Sequence, residues 1–162
     1  RRSLEAVPAE EFAQVTVVTQ YDAAATLAEE FGFTVVRNDR PEDGLSRTVR
    51  LGTEAMAGCD AILYQVADQP LLEQETVRRE IEYFRAHSDR IVGLAHNGVR
   101  GNPCIFPRKF FPELMALEGD VGGNVVIRAH PEELLLYETS AAELRDVDTV
   151  EALATVQEDR QI

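Results

Sequence analysis

The residues best suited to chemistry are three aspartates in two separate stretches. The first closes Ala61 to Pro70, which reads Ala-Ile-Leu-Tyr-Gln-Val-Ala-Asp-Gln-Pro. Its uncharged opening half is the pattern of a strand buried on both faces of a parallel sheet, and Pro70 prevents a ladder from continuing past Asp68. In an open α/β sheet, ligands bind beyond the carboxyl ends of the strands. A carboxylate there is a natural ligand for a hard cation such as Mg²⁺, which takes one or two carboxylates and completes its shell with phosphate oxygens. The same aspartate also suits a second role, capping the following turn, and spacing does not choose between the two. The other stretch is Asp146-Val-Asp148-Thr149. Residues two apart in extended backbone point to the same side, so Asp146 and Asp148 can both face a pocket while Val147 faces the core. Asp148 is followed by Thr149 and a helical pattern from Val150, which makes it an N-cap candidate. The division expected is Asp146 as metal ligand and Asp148 as cap, with the reverse left open. Mg²⁺ held between Asp68 and this distal pair would bridge phosphate oxygens, neutralise developing charge and orient an in-line attack.

Other polar segments surround these carboxylates in the sequence. Asn38-Asp-Arg-Pro-Glu-Asp-Gly44 is a dense set of turn formers. Ser46 and Arg47 follow Gly44 at an expected helix N-terminus, where backbone N–H groups and the dipole favour an anion or a polar ring edge. Arg100, beside Gly101, either reaches a phosphate or stays solvated. Gly119-Asp-Val-Gly-Gly123 either lets backbone approach a ligand or simply ends one helix and starts the next. Spacing suggests no Ser/His/Asp or Cys/His arrangement, and neither a Walker phosphate loop nor a Gly-x-Gly-x-x-Gly fingerprint occurs. His87, His96 and His130 form no ligand-spaced cluster, and Cys59 with Cys104 suggests neither a disulfide framework nor a zinc site.

These segments need a scaffold, and 162 residues are enough for one domain with a real core, spanning 1–162. Composition is ordinary for a globular protein, with 44% hydrophobic and 28% charged residues. The net charge of −13 argues against a nucleic-acid polymer or an anionic membrane as partner. It still admits a small phosphorylated ligand, because a metal ion or a few local arginines can reverse the field in one pocket. No apolar run approaches membrane-spanning length and no signal peptide opens the chain, so a cytoplasmic location is expected.

The elements alternate. Strands are expected at Val15 to Thr19, Thr34 to Arg37, Ala61 onward, Ile91 to Ala95 and Leu134 to Glu138. Helices are expected from Asp22, acting as cap, to Phe31, and then over Leu45 to Met56, Glu73 to Ala86, Pro107 to Leu117 and Asn124 to Ala129. A last helix should run through Val150, Leu153 and Val156, and Asn97-Gly98 marks a hairpin-like excursion. Alternation of this kind gives an α/β fold: a Rossmann-like, mainly parallel sheet with helices on both faces.

Taken together, the segments resemble a known family. Asn38…Gly44-Leu-Ser-Arg-Thr-Val-Arg-Leu-Gly52, Asp68-Gln-Pro70, Arg100-Gly-Asn-Pro103, Gly119-Asp-Val-Gly122 and Asp146-Val-Asp-Thr149 occur in the same order in the molybdenum-cofactor nucleotidyltransferases, the molybdopterin cytidylyltransferases and their relatives. Each motif is weak singly, but five in order over nearly the whole chain are specific. The resemblance implies a fold of the nucleotide-diphospho-sugar transferase type and an Mg²⁺-dependent transfer from a nucleoside triphosphate, CTP favoured, to a molybdopterin-type phosphorylated acceptor. Pyrophosphate would be released, and a molybdoenzyme could receive the product. By the same match, Asp68 would be the metal ligand on the nucleotide side and Asp146 or Asp148 the second carboxylate. Asn38, Gly44, Ser46 and Arg47 would line the base or substrate pocket, with Gln69 and Pro70 beside it, and Arg100, Gly101, Asn102 and Asp120 would face the acceptor. Two departures stand out. The family opens with a strand and a Gly-rich loop of the type Leu-Ala-Ala-Gly-x-Ser-x-Arg-Met-Gly, which is not in this sequence. Arg1 reads as the interior of a helix, so this opening is expected to precede it; its true loss would leave a catalytically silent binding domain. The second departure is Asn124, where the family pattern has Arg. Another phosphate acceptor, such as a sugar phosphate, is the alternative within the fold.

Overall fold

The computed structural model describes residues 1–147; Asp148 and the last expected helix lie outside the described residues. Thr16–Thr19 (β1) and Thr34–Arg37 (β2) are β-branched almost throughout, and they pair in parallel with Val17 opposite Val35 and Val18 opposite Val36. Asp22–Glu30 (α2) connects them. Asp22 does not cap this helix, as the sequence suggests; Tyr21 is the N-cap, and Asp22 lies in the first turn, paired with Arg37 at the end of β2. Gly32, at φ 75°, stops α2, with Gly32 N–H donating to Glu29 O at 2.9 Å and Phe33 N–H to Ala28 O at 3.0 Å. These two bonds form a Schellman closure that needs a left-handed residue.

The remaining strands, Ala61–Tyr64 (β3), Ile91–His96 (β4), Val99–Pro107 (β5) and Leu134–Glu138 (β6), form a four-stranded sheet in the order β3-β5-β4-β6. β5 is antiparallel to β3 and β4, whereas β6 is parallel to β4, so β5 alone opposes the common direction. It is the expected hairpin excursion: Asn97 at φ 51° and Gly98 at φ 76° make the turn between β4 and β5. The carboxylate of Glu138, ending β6, accepts both turn N–H groups at 2.9 Å.

Helices cover both faces. Leu45–Ala55 (α3), Phe111–Met115 (α5) and Asn124–Ala129 (α6) enclose one core with Val49, Ile62, Ile91, Phe106, Leu114 and Val126. Gln74–Arg85 (α4) and Arg2–Glu5 (α1) enclose the other with Ala6, Val77, Ile81, Leu94 and Ile105. α3 bridges the two sheets. A Cβ on Gly52 would meet the Val18 side chain at 3.5 Å, and the Thr53 hydroxyl lies 2.7 Å from that of Tyr64 on β3. Burial pushes the Tyr64 hydroxyl up to about 12. The helix expected from Pro107 to Leu117, with Pro112 expected to shorten or kink it, is a 3₁₀ turn, Arg108–Phe110, followed by α5, because Pro112 fits the first turn of a new helix better than the interior of a long one.

Candidate active site

The topology brings the polar segments to one edge. Asn38 follows β2, Asp68 follows β3, Arg100 opens the antiparallel β5, and residues 139–147 follow β6. All lie where the parallel strands end, which is where an α/β sheet binds its ligands.

β3 ends at Tyr64, earlier than the sequence suggests, and an irregular segment carries the chain on to Asp68. Two short bonds moor it to α1: Gln65 Nε2 donates to Ser3 O and Ser3 Oγ to Ala67 O, both at 2.6 Å. Asp68 is half-buried, and its carbonyl accepts the Val147 N–H at 2.8 Å. The next residue, Gln69, is buried, and its Nε2 donates to Asp146 Oδ1 at 3.2 Å and to Leu144 O at 3.4 Å. The two aspartate segments are thus bound to each other through backbone and side chain, although Gln69 and Asp146 are 77 residues apart in sequence. The second segment is itself anchored. Burial would raise the Glu143 carboxyl, but hydrogen bonds from Thr139, Thr76, the Glu73 N–H and Ser140 outweigh that and hold it below its ordinary value. Within the strap, Ser140 Oγ donates to Glu143 Oε2 at 3.1 Å and accepts the Glu143 N–H at 3.4 Å.

On the α3 side the helix start is filled by the chain itself. The first N–H groups of α3 are already satisfied: Leu45 N–H by Asp120 Oδ1, Ser46 N–H by Gly119 O and Arg47 N–H by Gly44 O, each at 3.2 Å. They are not open to an anion. Asp120 caps α3, and Ser46 has no exposed surface with which to line a pocket. Gly44 sits at φ 84°, ψ −177°, and a Cβ there would lie 2.5 Å from Gly119 O, so only glycine admits this approach. Arg47 folds back onto Asn38 Oδ1 at 3.1 Å and onto Asp39, whose carboxyl its hydrogen bond holds below the usual range. Asn38 is buried and also donates to Thr48 Oγ1 at 3.1 Å. Asn38 and Arg47 therefore shape the loop above α3.

Arg100 crosses Gly93, where a Cβ would meet its Cγ and Cδ at 3.2 Å, a pairing that the sequence does not disclose. Its guanidinium donates to Gly101 O at 3.3 Å, to Cys104 Sγ at 3.1 Å and to Asn124 Oδ1. Asn124 thus works as the acceptor that draws Arg100 to α6. Burial pushes the Cys104 thiol up to about 11 despite the nearby Arg100. Gly101 lies under Leu144, where a Cβ would meet that side chain at 3.1 Å, so the segment Arg100-Gly101-Asn102 abuts the strap that carries Asp146. Asn102 joins Pro103 by a cis peptide bond, and Pro70 is half-buried beside Gln69.

Among the described residues no three His, Cys, Asp or Glu side chains come together. The donor set on offer is therefore two carboxylate segments, too few for an all-protein transition-metal cage and suited to Mg²⁺ or Mn²⁺, which take water and phosphate oxygens as well.

A Rossmann-like sheet with paired aspartate segments on its carboxyl edge defines a class, the nucleotide-handling α/β transferase domains. The particular family follows from comparison: residues 1–134 match the MobA-like NTP transferase domain, and the chain belongs to that family of nucleotidyltransferases. No curated protein sequence matches it. Solved structures share the fold. A nucleotidyl transferase from Methanothermobacter, Mth528, is 23% identical with a TM-score of 0.76, over 99% of this chain and 80% of that one. Rv0371c of Mycobacterium tuberculosis H37Rv in complex with manganese is 21% identical at a TM-score of 0.75, over 97% and 84%. The 4-diphosphocytidyl-2C-methyl-D-erythritol synthase of Anaerococcus prevotii is 14% identical at 0.77, over 100% and 87%.

Proposed function

We propose that the protein transfers CMP from CTP to a phosphorylated molybdopterin-type acceptor. An acceptor phosphate oxygen forms a bond to the α-phosphorus, the bond from that phosphorus to the bridging oxygen breaks, and pyrophosphate leaves with the electron pair. The observation that carries this reading is the binding of the Asp68 segment to the Asp146 segment at the carboxyl edge of the sheet. In the reading, Asp68 and Asp146 hold Mg²⁺, and Asp148, outside the described residues, is the other candidate ligand. The ion would supply charge neutralisation on the triphosphate. Arg100, held across Gly93, lies next to Gly101 and Asn102 on the acceptor side, where it places a local positive charge in a chain whose net charge is −13. The cytidylyl name of one structural relative and the manganese bound by another favour CTP and a divalent ion. A molybdoenzyme would take up the product, and the reaction would be cytoplasmic; no helix among the described residues is long and apolar enough to cross a membrane.

The test is pyrophosphate release by the full-length protein with CTP, GTP or ATP and a molybdopterin acceptor, for wild type and Asp68→Ala. CTP should be preferred, and Asp68→Ala should abolish transfer with its melting temperature kept. Activity within about threefold of wild type, under ~1 kcal/mol of barrier, would remove Asp68 from the metal site. Turnover of a sugar phosphate in place of the molybdopterin acceptor would redirect the acceptor assignment.

A further inference from the structure

We infer that Gln69 is a positioning residue: its buried amide holds the Asp146 carboxylate in place beside Asp68, so that the two carboxylates keep the separation a divalent ion requires. This rests on the metal role proposed above for Asp68 and Asp146. Gln69 is only 2% exposed, so its amide is directed at the protein's own groups. Its Nε2 spans two acceptors, Asp146 Oδ1 at 3.2 Å and Leu144 O at 3.4 Å. Both neighbours only accept, so the amide can face them only with its NH₂ end, and both of its hydrogens are used. The backbone of the strap is set by other bonds: Val147 N–H to Asp68 O at 2.8 Å on one side and Glu73 N–H to Glu143 Oε1 at 3.3 Å on the other. Beside its longer bond to the Leu144 carbonyl, what Gln69 adds to these is the hold on the carboxylate itself. With Oδ1 engaged, Oδ2 is the oxygen left to a cation. Groups that orient a metal's carboxylate ligands in this way typically control affinity by about 10–100-fold.

The experiment is a titration of the full-length protein with Mn²⁺ alone, read by the free-ion electron paramagnetic resonance signal, with no nucleotide and no turnover. Gln69→Leu should weaken Mn²⁺ binding about tenfold. In an Asp146→Asn background it should add nothing, because Gln69 acts through Asp146. Gln69→Asn keeps a donating amide but draws it back by one methylene from Asp146 Oδ1, and it should likewise weaken Mn²⁺ binding about tenfold. This variant carries the test if Gln69→Leu fails to fold, and wild-type-like affinity in it overturns the inference. Wild-type-like affinity, within about twofold, in Gln69→Leu, or an equal further loss in the Asp146→Asn background, overturns the inference. If Asp146→Asn weakens Mn²⁺ binding and Gln69→Leu does not, only the positioning role falls. If Asp146→Asn leaves Mn²⁺ binding intact, the metal role of Asp146 falls and the positioning role with it.

Discussion

A carboxyl group with neither water nor a hydrogen-bond donor is costly in its charged form. Glu80 on α4 is such a group: it is 0% exposed, and neither oxygen has a partner among the described residues. Burial pushes its pKa well above the ordinary carboxylate value. The folded state therefore holds a proton that the unfolded chain releases near its own, lower pKa. Stability from this group is fully present below the unfolded pKa of about 4.3 and is lost as pH rises toward the raised folded value, by up to ~1.4 kcal/mol per unit. Glu80→Gln should abolish that slope. Melting curves at about pH 5 and pH 8 should show the variant gaining on wild type as pH rises, and parallel curves would show that Glu80 finds a partner when it ionises. Helical spacing places Val77, Ile81 and Phe84 inward, and it places Glu80 on the same face; only the packing of α4 on the sheet shows that no solvent reaches it.

At the level of elements, α3 is capped by a segment distant in sequence rather than by its own flank, with 75 residues between Leu45 and Asp120. The cap consists of Asp120 Oδ1 and Gly119 O on the N–H groups of Leu45 and Ser46, and it closes only because Gly44 has no side chain. Asp120→Ala should cost about 1 kcal/mol, the usual worth of a helix cap. Gly44→Ala should cost more, since its backbone conformation alone is worth roughly 1–3 kcal/mol of strain to any other residue and its methyl group would also meet Gly119. Urea unfolding midpoints rank the two. An Asp120→Ala loss as large as that of Gly44→Ala would show that the cap, and not the close approach, sets the junction. Gly-Leu-Ser in sequence reads as an open helix start because local rules cannot supply a distant acceptor.

For the whole molecule, 29 acidic residues against 16 basic ones make a field that repels polyanions. Fluorescence anisotropy at about 0.15 M salt should detect no binding to duplex DNA or RNA, since the counterion-release term that drives such binding needs a basic face. Micromolar binding there would require a cationic surface that these residues do not form. The described basic residues are largely used internally: Arg47 by Asp39, Arg78 by Glu10, Arg85 by Glu11 and Arg108 by Asp60. The Arg100 guanidinium differs from these, since its partners Asn124, Cys104 and Gly101 carry no formal charge.

Periodicity defined most of the elements, though not where β3 ends or how residues 107–117 divide. β-branched runs gave β1 and β2, Asn97-Gly98 gave the β4–β5 hairpin, and apolar spacing gave α3 and α4, because each of these signals is local and acts within a few residues. The five ordered motifs were likewise legible, and with them the family. What the motifs touch was not. Whether Asp120 faces an acceptor or caps α3, whether Ser46 is open or sealed, and whether Gln69 meets a nucleotide or holds Asp146 all depend on partners 75 or 77 residues away, or nearly so. Such contacts form only when the folded chain brings distant loops together, and no window along the chain contains both members of any of these pairs.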